Sequence, residues 1–380
     1  MGLKKFEIVF DNPWKVYYSG QTLSGNIVVV LDGGKKIRGI CVKVTGTANV
    51  TWTSTDDTTY AANEDYFQTK YYLVGSASGP EIEIQTGEHK FPFTCTLPAN
   101  LPSSFESDSG HVRYTVKATL DRPWKFDHDV KAAFTMVSPF DLNQEPRASE
   151  PIREEASKSF CCFCCATGPL TVTYSSPVRG YVPGQSMPIK INVENLSNVT
   201  VDRIGLILCK IVTFHATTPQ TESKTEEIVV TEISKGPVEA GAVLDYDQNL
   251  EVPALPPSNL SNCSIIDLEY CLKIEAFVSG WHHRNLKSTT PVFVGTVPLV
   301  NYQRPSAPPE SMLADSPMKP SMGFQPSPTS NLYPELPPPS YEESIYGAKN
   351  LRDRDESEYV IGLTNSFAPR YPFYHFTGVQ

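Results

Sequence analysis

The chain has 380 residues, 40% of them hydrophobic, which suffices for two domains of ordinary size and an unstructured remainder. Its formal net charge of −10 leaves no basic field to hold a phosphate backbone, so nucleic acid is excluded as a partner. The opening Met1-Gly2-Leu3-Lys4-Lys5-Phe6 lacks the apolar region of a signal peptide and no long apolar run follows, so a cytosolic chain is expected, and nine cysteines, an odd number, predict reduced thiols.

In chain order, alternation of apolar and polar residues predicts strands at Phe6–Phe10, Leu23–Leu31, Ile37–Val44 and, without a fault, Val112–Asp121. The stretch Asn143–Ser159 is polar, charged and without period, and reads as an interdomain linker. A second series of strands follows at Leu170–Tyr174, Met187–Val193, Ile204–Thr213 and Leu268–Phe277. Almost nothing carries a helical period. Many short strands between turn signals predict an all-β chain built of sandwiches.

The two series are copies. Tyr18-Ser19-Gly20-Gln21 matches Val182-Pro183-Gly184-Gln185, and Ile37-Arg38-Gly39-Ile40 matches Asp202-Arg203-Ile204-Gly205. Further on, Leu101-Pro102-Ser103 matches Leu255-Pro256-Pro257-Ser258, and Arg113-Tyr114 matches Glu269-Tyr270. Four matches in one order imply tandem homologous sandwiches. The predicted organisation is therefore a first sandwich over 1–145, a linker with a cysteine cluster over 146–166, a second sandwich over 167–300 and a tail over 301–380. The slightly longer first copy is assigned an extra loop at Thr55–Asp65.

The cluster Cys161, Cys162, Cys164 and Cys165 packs four thiols into five residues, which does not suit the separated ligand pairs of a structural zinc; no metal is expected. Palmitoylation of these thiols would suit a junction working at membranes. His282 and His283 are adjacent and point apart, which makes a poor chelate. No H-E-x-x-H, G-x-S-x-G or Walker A pattern occurs, and no enzyme and no cofactor are expected.

Residues 301–380 hold 13 of the 33 prolines and are expected to be disordered. Within them, Leu336-Pro337-Pro338-Pro339 suits an exposed polyproline II helix, because proline fixes φ and lacks the amide donor of a ladder. Pro338, Pro339 and Tyr341 then make P-P-x-Y, the pattern WW domains read, with two prolines on aromatic rings and the tyrosine in a second pocket. Pro305, Ser306, Ala307 and Pro308 match the P-[ST]-A-P peptide of ESCRT-I, while Leu332, Tyr333, Pro334 and Leu336 match the L-Y-P-x-L peptide of ALIX.

The paired sandwiches, the Gly20 and Gly184 turns, Pro102-Ser103-Ser104-Phe105-Glu106 leading to Arg113-Tyr114, and the closing Pro291–Leu299 together resemble the arrestin domain-containing proteins, the α-arrestins, over about residues 5 to 300. The resemblance implies a non-enzymatic adaptor whose body selects membrane receptors or transporters and whose tail recruits WW-domain HECT ubiquitin ligases. It also implies sorting to endosomes and lysosomes, from a cytoplasmic position peripheral to the plasma membrane and endosomes. Such proteins often carry a second P-P-x-Y; here it is degraded to Ala368-Pro369-Arg370-Tyr371, leaving Pro369 and Tyr371 as a degenerate second WW site. Two other readings come from relatives: a thioredoxin-linked regulator, disfavoured because no cysteine lies between Cys209 and Cys263, and a retromer-like coat subunit, which has no need of a WW ligand.

Overall fold

The computed structural model describes residues 2–123, 126–160, 168–280, 284–306, 336–348, 350–352, 356 and 359–376. The first sandwich comprises β1 (Leu3–Phe10), β2 (Val16–Tyr18), β3 (Thr22–Leu31), β4 (Lys35–Ile37), β5 (Gly39–Thr53), β6 (Thr59–Gly75), β7 (Ile82–Ile84), β8 (Gly87–Thr96), β9 (Phe105–Glu106), β10 (Gly110–Asp121) and β11 (His128–Val137). One layer has the order β1-β3-β8; the other runs β2-β11-β10-β5-β6, with β9 on β10 and a separate β4-β7 pair. The second comprises β12 (Ile152–Lys158), β13 (Leu170–Ser176), β14 (Gly180–Tyr181), β15 (Ser186–Asn195), β16 (Val201–Ala216), β17 (Glu222–Lys235), β18 (Val243–Glu251), β19 (Ile266–Val278) and β20 (Leu286–Val294). Its layers are β12-β13-β15-β18 and β14-β20-β19-β16-β17.

Alternation decides what each strand buries. On β10, Val112, Tyr114, Val116, Ala118 and Leu120 are all at 0% exposure and face the core, each large side chain contributing about 1.5–3 kcal/mol. The opposite face is not wholly solvated: Arg113 and Thr115 are also buried, Arg113 beside Glu106 and Thr115 beside Thr45. The core runs continuously through both sandwiches. The two join where Ala61 bridges Thr218 and where Asp141 bridges Val297.

The tandem repeat holds to the level of single hydrogen bonds. Gly20 and Gly184 both adopt positive φ, +82° and +90°, and the next glutamine folds its Oε1 back to accept from the backbone N–H of Tyr18 (2.9 Å) or Val182 (2.8 Å). Tyr114 donates its hydroxyl to the Pro102 carbonyl at 2.7 Å, as Tyr270 does to Pro256 at 2.8 Å. Ser104 and Ser258 each exchange bonds with the backbone of the last strand, at Met136 and Val294 respectively.

Two expectations need correction. The extra length of the first copy is not in the turn at Thr55, since the turns before β6 and β17 are both five residues, 54–58 and 217–221; it lies partly in β6, 17 residues against 14 for β17, and partly over 76–86, which includes β7, against only 236–242. The linker assigned to 146–166 contains β12, which pairs with β13 from Ile152↔Ser176 to Lys158↔Leu170. Only Ile152 of β12 is fully buried, so Arg153, Glu154, Glu155 and Lys158 hide the strand, as edge strands commonly do. Of the tail, the residues described from Leu336 onward lie against the body. They form β21 (Ser340–Glu343) and β22 (Arg370–Phe373), paired antiparallel and laid against it.

Candidate functional site

The P-P-x-Y tyrosine sits on β21, where Tyr341 is opposite Pro372 and Glu342 opposite Tyr371. Pro338 is exposed, Pro339 and Leu336 half-buried, and Tyr341 half-buried. The Tyr341 ring joins a small apolar cluster of Val16, Tyr18, Val137 and Trp14, lying 6.4 Å from the Trp14 ring. Its hydroxyl shares a 3.2 Å hydrogen bond with that of Tyr18, and burial pushes its phenol pKa up. The exposed polyproline segment expected at this motif thus ends in a paired strand. A β-strand admits proline at an edge or at its start, which is where Pro339 and Pro372 fall.

β22 is the deeper of the pair. Pro369 and Tyr371, the degenerate second WW site, are both buried. The Tyr371 hydroxyl donates to the Ser104 carbonyl at 2.7 Å, and the Arg370 amide donates to Thr135 Oγ1 at 3.0 Å. Arg370 also reaches Glu343 at 2.6 Å across the strand pair and lies over Trp14 at 5.7 Å. Tyr374 donates to the Thr296 carbonyl at 2.9 Å and takes its place in the common core. The two candidate WW tyrosines are therefore brought onto one ribbon, one half-buried and one used as an anchor.

Between the strands, the described tail residues lie on both sandwiches. Ile361 bridges Val130 in parallel on the edge of β11 that β2, paired only over Thr135–Val137, leaves open. Leu351, Val360 and Leu363 are buried. Lys131, 1% exposed in its side chain, meets Glu356 at 2.8 Å and donates to the Leu351 carbonyl at 3.0 Å. Lys210 is fully buried, 3.3 Å from the Tyr346 ring and 5.4 Å from that of Phe105, and among the described residues its ammonium donates no hydrogen bond. Burial pushes its pKa down to about 8, only partly opposed by Glu226. Beneath the tail, Arg113 clasps Glu106 through two bonds of 2.8 Å; burial raises the Glu106 pKa and Arg113 opposes the rise.

Of the other sequence candidates, one meets the end of this ribbon and the rest fall outside the described residues. Pro305 is buried and Ser306 bridges His375 antiparallel, so the start of the tail meets its end. Ala307, Pro308, Leu332, Tyr333, Pro334 and all four clustered cysteines, with His282 and His283, lie outside the described residues. The dock itself, Trp14, Tyr18, Thr135, Lys131 and Lys210, escaped the sequence reading.

The models of the arrestin (or S-antigen) N-terminal and C-terminal domains match residues 6–143 and 166–299. The chain is 30% identical to arrestin domain-containing protein 17 of Caenorhabditis elegans over 98% of its own length and 99% of the relative's. It belongs to the arrestin domain-containing family. Human arrestin domain-containing protein 1 is similarly related, 30% identical over 97% of this chain and 78% of that one, and mouse arrestin domain-containing protein 4 is 26% identical over 80% and 74%. The tandem sandwiches of this arrestin domain-containing protein thus agree with its relatives as well as with its own repeat, and place it among adaptor-like proteins. No helix among its described residues is long and apolar enough to cross a membrane.

Proposed function

We propose that this protein is a non-enzymatic adaptor that links membrane receptors or transporters to HECT ubiquitin ligases, promoting ubiquitination, endocytosis and sorting to endosomes and lysosomes. The observation that carries the reading is the intact Pro338-Pro339-Ser340-Tyr341 on a tail separate in sequence from both sandwiches. Its two prolines would lie on the aromatic groove of a WW domain and its tyrosine would fill the second pocket, with Kd on the order of micromolar, about −8 kcal/mol. One intact motif gives transient recruitment, since avidity needs a second site that can engage at the same time. The protein acts from the cytoplasmic side, peripheral to the plasma membrane and endosomes. Pro305–Pro308 and Leu332–Leu336 add contacts to ESCRT-I and ALIX.

The test is capture of a WW-domain ligase by the full chain from a defined mixture. Tyr341→Ala and, separately, Pro338→Ala with Pro339→Ala should each abolish capture; the second pair spares the Tyr341–Tyr18 contact. Undiminished capture by both variants removes the reading.

A further inference from the structure

Resting on that reading, we propose that the surface formed by Trp14, Tyr18 and the open edge of β11 is a docking site for the protein's own tail, and that it competes with a WW domain for Tyr341. One ring cannot occupy two places. In the structure it lies among Trp14, Tyr18 and Val137, with its hydroxyl on Tyr18, whereas a WW complex needs the same ring in a pocket of the ligase. The backbone conflict is as strong. Ser340 to Glu343 are committed to a ladder with Phe373 to Arg370, while the WW ligand must present Pro338 to Tyr341 as an unpaired polyproline II segment.

The tail is held by contacts spread well beyond the motif, so the closed form does not depend on Tyr341 alone. Tyr371 is bonded to Ser104, Lys131 is paired with Glu356, the Lys131 amide donates to Ile361 at 2.9 Å, and Tyr374 is bonded to Thr296. Binding by such a chain is weakened by the fraction of time its competent form is open: the apparent Kd is the intrinsic Kd divided by that fraction. Ligase capture is thereby set by tail release, and residues distant from P-P-x-Y control it.

The experiment titrates one isolated WW domain of a HECT ligase against three partners: a synthetic peptide of residues 334–346, the full chain, and the full chain carrying Glu356→Lys with Tyr374→Ala. Both substitutions lie in the tail, and circular dichroism of the variant checks that the sandwiches persist. The peptide should bind on the order of micromolar, the full chain about tenfold or more weaker, and the variant within about threefold of the peptide. Amide exchange supplies the second readout: the Lys131 and Ser344 N–H groups, which donate to Ile361 and Pro369, should be protected in the full chain and lose protection in the variant. Equal affinities for peptide and full chain overturn the competition and leave the adaptor reading standing. A variant that loses protection yet stays as weak as the full chain also overturns it. A peptide that does not bind removes the adaptor reading and this inference together.

Discussion

The two sandwiches share a turn, a strand order and a tyrosine bond, yet matched positions in them carry different loads. Gly20 and Gly184 have nearly the same φ, but a methyl on Gly20 would meet nothing, whereas one on Gly184 would run into the carbonyl oxygen of Tyr374. Arg113 is buried in a two-bond clasp with Glu106, while its counterpart Glu269 is exposed. Local sequence fixes the turn and the strand in both copies. What covers each position then decides its cost of substitution, and the tail supplies part of that cover.

The largest expected effect is at the clasp. Arg113→Ala leaves Glu106 buried without its partner and should cost about 3–5 kcal/mol, whereas Glu269→Ala should stay within about 0.5 kcal/mol in denaturant unfolding. Similar losses at the two positions would break the comparison. Next is the turn: Gly20→Ala should cost about 1 kcal/mol for its positive φ, and Gly184→Ala about 2–3 kcal/mol, because it also displaces Tyr374. Loss of amide protection at Tyr374 in the second variant alone, read by hydrogen exchange, would sharpen the contrast.

Smaller and equal effects are expected where the copies agree. Tyr114→Phe and Tyr270→Phe each remove one buried hydroxyl bond and leave a carbonyl short of a donor, at about 1 kcal/mol apiece. A clear difference between them in thermal or denaturant unfolding would show that the repeat is geometric and not energetic. The one effect of opposite sign is a slope. Burial holds Lys210 near pKa 8 when folded, below its ordinary 10.5, so the unfolded chain binds more protons between those values and stability from this group rises with pH through that window. Below pH 8 it is at its lowest. Lys210→Met should remove that slope and, by taking away an ammonium without a hydrogen bond, raise stability at pH 7 by about 1–2 kcal/mol. A stability curve with the same slope in both proteins would refute this.

The strands with clean alternation, β3, β10, β15 and β19, were legible because their apolar faces point to one core. β12 was not, because a charged edge strand exposes most of the side chains that would mark it. Composition gives no sign of how the described tail residues are placed. The tail's prolines and charges argue against a core of its own, but Tyr341, Tyr346, Tyr371 and Tyr374 need only a surface already built by the sandwiches, and a preformed partner lowers the ordering cost that the chain must offset. Lys131 and Lys210 carried no signal at all: each sits in a strand as an ordinary lysine, and what packs over it buries it, Glu356 and Leu351 of the tail at Lys131, and Tyr346 with Phe105 at Lys210.

The bridge between Ser306 and His375 gives the tail a buckle. The Ser306 amide donates to the His375 carbonyl at 2.6 Å across a sequence gap of 69 residues, so two cysteines placed there would face each other across an isolated antiparallel bridge. Oxidising that pair would staple the strap shut, worth on the order of 4 kcal/mol by loop entropy, and a reductant would unfasten it. The protein would then become a ligase recruiter whose availability is set by thiol chemistry in the test tube.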